Sequence, residues 1–325
     1  MILYPIILCL LAIALNAPPA EPAEARKIPV AIPSVSPSST TFVVARDRGF
    51  YGEEGLEVEL IVMPAAQATQ ALIGGNVKFA TVGGAGLPPL LRGAPLRFLF
   101  TTFSRPMYWL YANPEIRTVK ELKGKKVGVS SIGSGPDSLL RELLKKDGLE
   151  GGREVVIMPL GSGVARFYAL KAGSVDATML SIPGNFMAEE AGFRQLASFI
   201  ELDFVELQGS ILVREDLLGS DPALAAKFVR ASLKGLLYFR TNRADTVAIL
   251  TRFLKVKPEL TARIYDLILP GVTRDGTVGE EYQRRSVEHI LERVGLKEPP
   301  PLEKIFDFSL TRKIRDDLRA RGWKP

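Results

Sequence analysis

Hydrophobic and polar positions along this chain alternate in blocks that predict strands and helices in turn. Short apolar runs, such as EVELIVMP (57–64) and EVVIMP (154–159), predict buried strands. Between them lie segments with leucines every three or four residues, such as DSLLRELLKKDGL (137–149), which predict helices with one apolar face. Because strands and helices alternate, we expect an α/β protein built on mostly parallel sheets.

The first part of the chain contains an internal duplication. The segment ALIGGNVKFATVGG begins at Ala71, and ALKAGSVDATMLSIPG begins at Ala169, an offset of 169 − 71 = 98 residues. A strand ending in a serine-rich loop, a helix and a further strand precede each of the two segments. Each half therefore runs strand, helix, strand, helix, strand, and each predicts one parallel sheet.

The order of these blocks predicts two domains, one of them inserted into the other. We assign residues 26–103 and 205–325 to a discontinuous first lobe, because the helices predicted near the C-terminus are needed to cover its sheet. Residues 117–200 form the inserted second lobe. The segments 104–116 and 201–204 are the predicted hinge crossings between the lobes.

The N-terminal segment has the pattern of an export signal. Residues 1–20 carry no charge, and the apolar run 6–15 is too short to span a membrane but fits the core of a signal peptide. We expect residues 1–25 to be removed, together with Cys9, which leaves no cysteine in the mature chain. The expected location is periplasmic or otherwise extracytoplasmic.

The charge distribution argues against a nucleic-acid-binding protein. The 42 basic and 36 acidic residues give a formal charge of +6, but the sequence has no long block of Lys and Arg. We interpret the excess as a solvated surface with a mild preference for anionic partners. No nucleic acid is expected as a partner.

The loops that follow the predicted strands are the candidate binding surface. In open α/β sheets, ligands bind beyond the carboxyl ends of the strands. The loops here are rich in Ser, Thr and Gly, which supply hydroxyls and accessible backbone N–H groups for an uncharged or anionic small molecule. Any one of them could simply cap a helix, but we expect several to touch ligand together. They are residues 34–41, 65–69, 82–86, 130–135, 160–163 and 181–185.

Candidate ligand contacts follow from these loops and from the first crossing. Arg105 is either a counter-ion for an anionic ligand or a surface arginine at a turn, and the sequence leaves both open. The aromatic residues Phe42, Phe103, Tyr108, Trp109 and Phe186 could stack on a ligand or belong to the core. The loop candidates are Ser36, Ser38, Thr40, Gly83, Gly84, Gly135, Ser162, Pro183 and Asn185.

The sequence contains few residues in arrangements suited to catalysis. The single histidine, His289, lies in a predicted amphipathic helix away from the candidate loops. The mature chain would have no cysteine, and no spacing of His and Cys typical of a zinc site occurs. Asp137 and Asp176 do not form a convincing acid/base pair. We therefore expect neither an enzyme nor a bound metal or cofactor.

Several segments together resemble a known family. The chain, from about Lys27 to Gly322, resembles the nitrate/sulfonate/taurine-type substrate-binding proteins of bacterial ABC importers, within a superfamily that includes thiamin-pyrimidine synthases. The matching segments are FVVARDRGFYGEEGLEVEL, QALIGGNVKFATVGG, TVKELKGKKVGVSSIGSGPDSLLRELL, ALKAGSVDATMLSIPGNFMAEEAGFRQLA and DPALAAKFVRASLKGLLYFRTN.

This resemblance implies a two-lobed type 2 periplasmic-binding-protein fold, in which two hinge strands join the lobes and each lobe is a mostly parallel sheet flanked by helices. It implies a protein that captures a small molecule and delivers it to an ABC permease in the inner membrane. We expect a monomer and a small organic, anionic ligand of the sulfonate, carboxylate or heterocycle class. The resemblance also implies ligand contacts at Ser39 and Gln67 in the first lobe and at Ser131, Ser134 and Ser138 in the second.

An enzyme of the same fold is the alternative. It would act on a pyrimidine-like or aromatic acid substrate. The thiamin-pyrimidine-forming relatives use histidine and a cysteine-rich segment, whereas this chain offers only Cys9 and His289. The sequence therefore favours a binding protein.

Overall fold

The computed structural model describes residues 25–325, apart from the side chains at 289, 292 and 293. The predicted signal peptide, residues 1–25, lies outside this range except for its last residue, and Cys9 lies outside it as well. The strands are β1 Arg26–Ile32, β2 Leu56–Val62, β3 Phe79–Ala80, β4 Leu96–Phe103, β5 Trp109–Ala112, β6 Lys126–Val129, β7 Val156–Pro159, β8 Ala177–Leu180, β9 Arg194–Ser198 and β10 Gln208–Arg214.

Helices alternate with the strands in the first two-thirds of the chain and fill the last third. The α-helices are α1 Thr40–Asp47, α2 Phe50–Glu53, α3 Ala65–Ile73, α4 Leu87–Leu91, α5 Gly135–Lys146, α6 Gly163–Lys171, α7 Gly184–Glu190, α8 Glu215–Ser220, α9 Pro222–Thr241, α10 Arg243–Leu254, α11 Pro258–Ile268, α12 Glu280–Val294 and α13 Ser309–Ala320. Short 3₁₀ helices occur at Pro37–Ser39, Gly83–Gly86, Val119–Leu122, Leu269–Gly271 and Leu302–Lys304.

The strands form two five-stranded sheets with the same internal order. The first sheet runs β2-β1-β3-β10-β4, and the second runs β7-β6-β8-β5-β9. In each sheet the first three strands are parallel neighbours. They come from the two duplicated halves, so the predicted α/β fold and its repeat are confirmed. The fourth strand, β10 or β5, is antiparallel to both of its neighbours.

The chain crosses between the sheets twice, at residues 104–108 between β4 and β5 and at residues 199–207 between β9 and β10. Residues 109–112 form β5, a strand inside the second sheet, although the sequence assigned them to the crossing 104–116. The error arose because an apolar, aromatic segment reads equally well as a strand or as an extended connection. The lobe boundaries drawn from the sequence otherwise remain a prediction.

The helices after β10 pack mainly on the first sheet. Helix α9 lies against α1 and α2, and the buried hydroxyls of Tyr51 in α2 and Ser232 in α9 share a hydrogen bond of 2.9 Å. The predicted cap of α9 is present, because Asp221 Oδ1 accepts from the Leu224 amide at 3.0 Å. Near the C-terminus, the Phe98 amide donates to the Ile305 carbonyl at 2.9 Å, which extends the edge at β4.

Within residues 25–325, no helix combines the length and the apolar character needed to cross a membrane.

Candidate functional site

A cavity of about 430 Å³ lies between the two sheets. The loops after β1 and β3 of the first sheet form one wall, and the loops after β6 and β8 of the second sheet form the other. Five of the six predicted loops contribute at least one residue, and the loop 160–163 contributes none. The volume falls within the usual range for small-molecule sites.

Hydrogen-bonded serine hydroxyls cover both walls of this cavity. On the first wall, Ser34 Oγ donates to Ser36 Oγ at 2.9 Å, and Ser36 and Ser38 share a second bond of 2.9 Å. On the second wall, Ser130 Oγ donates to Ser134 Oγ at 2.8 Å. Six of the predicted contacts line the cavity: Ser36, Ser38, Gly84, Ser134, Gly135 and Ser138.

The other predicted serines and the threonine do not line the cavity, because their hydroxyls form hydrogen bonds with backbone groups or because the residue is exposed. Ser39 and Thr40 are buried, and they donate to the carbonyls of Ser34 and Pro37 respectively. Ser131 is exposed. Ser162 caps α6 by accepting from the Ala165 amide at 3.2 Å.

The remaining loop candidates also lie away from the lining. Gln67 is exposed on α3, and Pro183 is exposed at the start of α7. Asn185 is buried in α7, and its Oδ1 has no hydrogen-bond partner among the described residues.

The glycines after β3 allow the second crossing to pack closely against this loop. A Cβ on Gly83 would lie 2.0 Å from the Leu207 carbonyl oxygen. That same oxygen accepts a hydrogen bond of 2.9 Å from the Gly84 amide. Gly84 lines the cavity, but its N–H group is therefore used by the chain itself. These glycines are needed chiefly for the close approach of two backbone segments.

The predicted counter-ion Arg105 lies outside the lining. Its Nη1 donates to the Leu202 carbonyl at 2.8 Å and lies 3.8 Å from Asp203 Oδ1. A second arginine, Arg166, is buried, and its Nε donates to the Met179 carbonyl at 2.7 Å. Desolvation lowers the pKa of Arg166, although the nearby Tyr108 hydroxyl opposes this effect.

Several lining residues escaped the sequence analysis. The second crossing contributes residues 205–207, the start of β10 contributes Gln208 and Gly209, and helix α12 contributes Ser286 and Ile290. Met107 comes from the first crossing, next to the predicted candidate Tyr108. Of the five aromatic candidates, only Tyr108 lines the cavity, while Phe42, Phe103, Trp109 and Phe186 are buried in the core.

Glu206 places a carboxyl group in the cavity. Its Oε2 accepts from Gln208 Nε2 at 2.6 Å. Its Oε1 would lie 2.1 Å from a Cβ on Gly135, so this oxygen touches the first residue of α5 on the opposite wall. Burial raises the pKa of Glu206 to about 7, although the bond from Gln208 opposes that rise. A carboxyl with this pKa changes charge near neutrality.

Two tyrosines surround this carboxyl. Tyr282 on α12 fixes its backbone, because the Tyr282 hydroxyl donates to the Glu206 carbonyl at 2.7 Å and accepts from the Glu206 amide at 3.0 Å. Burial raises the pKa of Tyr108, and the neighbouring Glu206 raises it further. Both hydroxyls therefore stay protonated near neutral pH and can act as hydrogen-bond donors.

The described residues offer no metal site, since no group of three or more His, Cys, Asp or Glu side chains has the required arrangement. His289 lies in α12, and its side chain is outside those that the structure describes.

Comparison with known protein families identifies the family of this chain. Residues 36–245 match the model of the NMT1/THI5-like family. The chain belongs to this family. It is also 30% identical over 222 residues to the riboflavin-binding protein RibY of Chloroflexus aurantiacus. That alignment covers 64% of this chain and 58% of RibY, so the chain matches less than two-thirds of the relative's length.

Solved structures share the two-lobed fold. The aliphatic sulphonate-binding protein SsuA of Escherichia coli matches with a TM-score of 0.69 at 19% identity, over 86% of this chain and 91% of SsuA. The nitrate-binding protein NrtA of Synechocystis PCC 6803 matches with 0.70 at 14% identity, over 93% and 91%. A desulfurization enzyme, DszB, matches with 0.67 at 17% identity, over 90% and 99%. The chain thus has the periplasmic-binding-protein fold, which both binding proteins and an enzyme use.

Proposed function

We propose that this protein is an extracytoplasmic solute-binding protein that captures a small organic molecule between its lobes and delivers it to an ABC permease. The observation that carries the proposal is the cavity between the sheets, lined by post-strand loops of both duplicated halves and by both crossings. Ligand held by both walls would stabilise the closed arrangement in proportion to its preference for that state. The lobes are those drawn from the sequence, with β5 added to the second lobe, and the binding unit is a monomer.

Within the ligand classes expected from the sequence, the lining favours an uncharged heterocycle over a sulfonate or carboxylate. The charged group that faces the cavity is the carboxyl of Glu206, whereas Arg105 is engaged by Leu202 and Asp203 outside it. An anion would meet a like charge, and a neutral molecule with N–H or O–H groups would meet an acceptor. The relative RibY makes riboflavin the first ligand to test.

Thermal unfolding of the ligand-free protein tests this function. Riboflavin, methanesulfonate and nitrate should be titrated separately. A bound ligand at a hundredfold excess over its Kd should stabilise the folded protein by about 2.7 kcal/mol. We expect saturable stabilisation by riboflavin or a related neutral heterocycle. Stabilisation by methanesulfonate or nitrate alone would contradict the proposed ligand class.

An enzyme remains the second candidate because of one observation. The pKa of Glu206, raised by burial to about 7, would suit a general acid or base in a closed cleft. Mass analysis of the small molecule recovered after long incubation separates the two functions. A binding protein returns the ligand unchanged, whereas an altered mass would favour the enzyme.

A further inference from the structure

Helices α5 and α6 both belong to the second half, where each follows a parallel strand, but their N-termini are completed differently. At α6, Ser162 Oγ caps the helix by accepting from the Ala165 amide. At α5, Ser134 makes no such cap. Its hydroxyl instead donates to the Ser131 carbonyl at 2.7 Å and accepts from Ser130. The Ser134 hydroxyl therefore does not cap α5.

Glu206, from the second crossing, places a carboxyl group beside this terminus. Its Oε1 lies against Gly135, the first residue of α5. The positive end of a helix dipole favours a negative group at this place. The carboxyl can take this position because residue 135 is glycine, since a Cβ there would displace the carboxyl oxygen. The chain's own carboxylate thus occupies the position at which an anionic ligand would gain most.

The carboxyl is also held so that it can meet a ligand. Tyr282 fixes the backbone of Glu206 through two hydrogen bonds, and Gln208 Nε2 holds Oε2. The other oxygen, Oε1, lies beside Gly135, and Glu206 lines the cavity. A carboxyl that its neighbours hold in the cavity selects ligands that carry a donor.

We infer that Glu206 determines the specificity of the cleft: it accepts a hydrogen bond from an N–H or O–H group of a neutral ligand, and it competes with anionic ligands for the N-terminus of α5. This inference rests on the proposed function and names the residue that would select its ligand class.

The protonation state of Glu206 makes this competition depend on pH. The groups that face the carboxyl are Gln208, the α5 terminus at Gly135, and the tyrosines Tyr108 and Tyr282. The charge of Arg166 lowers the pKa of Tyr108, and the charges of Arg105 and Arg285 lower the pKa of Tyr282. Ionised Glu206 accepts from a donor ligand, so affinity for a neutral donor ligand should rise with pH up to about neutrality. Affinity for an anion should fall by about tenfold per pH unit above neutrality, because the anion binds the protonated form.

The test compares Glu206→Gln and Glu206→Ala with the intact protein by calorimetric titration of riboflavin and of methanesulfonate. Asp203→Asn is the matched control, because it removes one carboxylate from the same crossing at an exposed position. We expect Glu206→Gln to weaken riboflavin by more than about tenfold and to abolish the pH dependence. We expect Glu206→Ala to gain methanesulfonate binding, and Asp203→Asn to change neither. Thermal unfolding establishes that each variant is folded.

Different results would overturn different claims. Riboflavin affinity unchanged in Glu206→Gln, or no gain of methanesulfonate binding in Glu206→Ala, overturns the inference about Glu206 while the solute-binding function stands. If the intact protein binds no neutral solute but Glu206→Ala gains methanesulfonate, the anion competition at Glu206 is supported and the proposed ligand class fails.

Discussion

The Leu207 carbonyl oxygen lies so close to Gly83 that a Cβ on this glycine would come within 2.0 Å of it. Gly83 also has a φ of +56°, a conformation that residues with side chains rarely adopt. The first-sheet loop and the second crossing are therefore packed backbone to backbone beneath the cavity.

Gly83→Ala should destabilise the fold through both collision and strain. We expect it to lower the free energy of unfolding by on the order of 2–4 kcal/mol, measured by urea denaturation. Gly93→Ala is the control, because Gly93 has a φ of +96° with open space around it and therefore carries the conformational strain alone. An equal loss in both variants would contradict a close packing of Gly83 against Leu207.

Gly135→Ala should affect binding more than folding. The added methyl would displace Glu206 Oε1, a cavity group, from the start of α5. We expect at least about a tenfold loss of ligand affinity with little change in unfolding free energy. Gly163→Ala, at the equivalent position of α6, meets its nearest atom at 3.5 Å and should leave affinity unchanged. Equal affinities in the two variants would count against the contact at Gly135.

Asp137→Asn should loosen the serine-rich loop before α5. The buried Asp137 carboxylate accepts from the Gly133 amide at 2.6 Å and from Arg141 Nε at 2.8 Å. Loss of its charge should lower the free energy of unfolding by about 1–3 kcal/mol and speed hydrogen exchange in the loop. Glu142→Gln, which removes a surface charge from the same helix, should change stability by less than about 0.5 kcal/mol. Unchanged exchange in Asp137→Asn would contradict this role.

The stability of the ligand-free protein should depend on Glu206 and pH. The pKa of Glu206 is about 7 in the folded protein and 4.5 in the unfolded chain. The contribution of Glu206 to the free energy of unfolding is therefore fully present below pH 4.5 and is lost as the pH rises through 7. Between about pH 5 and about pH 8 the loss should be on the order of 1–3 kcal/mol. Urea denaturation of Glu206→Gln should show a smaller loss over the same interval. A parallel pH profile in the variant would argue against a raised pKa for Glu206.

The sequence was sufficient for the architecture because the signals for it are local. Apolar periodicity located the strands and helices of both halves, and the repeat at an offset of 98 residues placed them in two equivalent sheets. Of the six loops that the rule for strand ends predicted, five contribute residues to the cavity. Strand β5 was missed because its partners, β8 and β9, lie far along the chain.

Individual contacts were harder to predict, because they depend on the conformation of each loop. Ser38 lines the cavity, while its neighbour Ser39 turns inward and donates to the Ser34 carbonyl. The sequence carries no signal that separates the two. Glu206 was missed because it follows no parallel strand, and the only clue was an acid placed between Val205 and Leu207 in an apolar crossing.

The central claim is that the cavity between the sheets binds one small molecule without altering it. Native mass spectrometry of the protein with riboflavin tests this most directly, with Ala85→Trp to fill the cavity mouth and Ala66→Trp, outside the lining, as control. We expect a one-to-one complex that Ala85→Trp abolishes and Ala66→Trp retains, with the ligand released at its original mass. A complex that survives in Ala85→Trp, or a ligand released with a changed mass, would contradict the central claim.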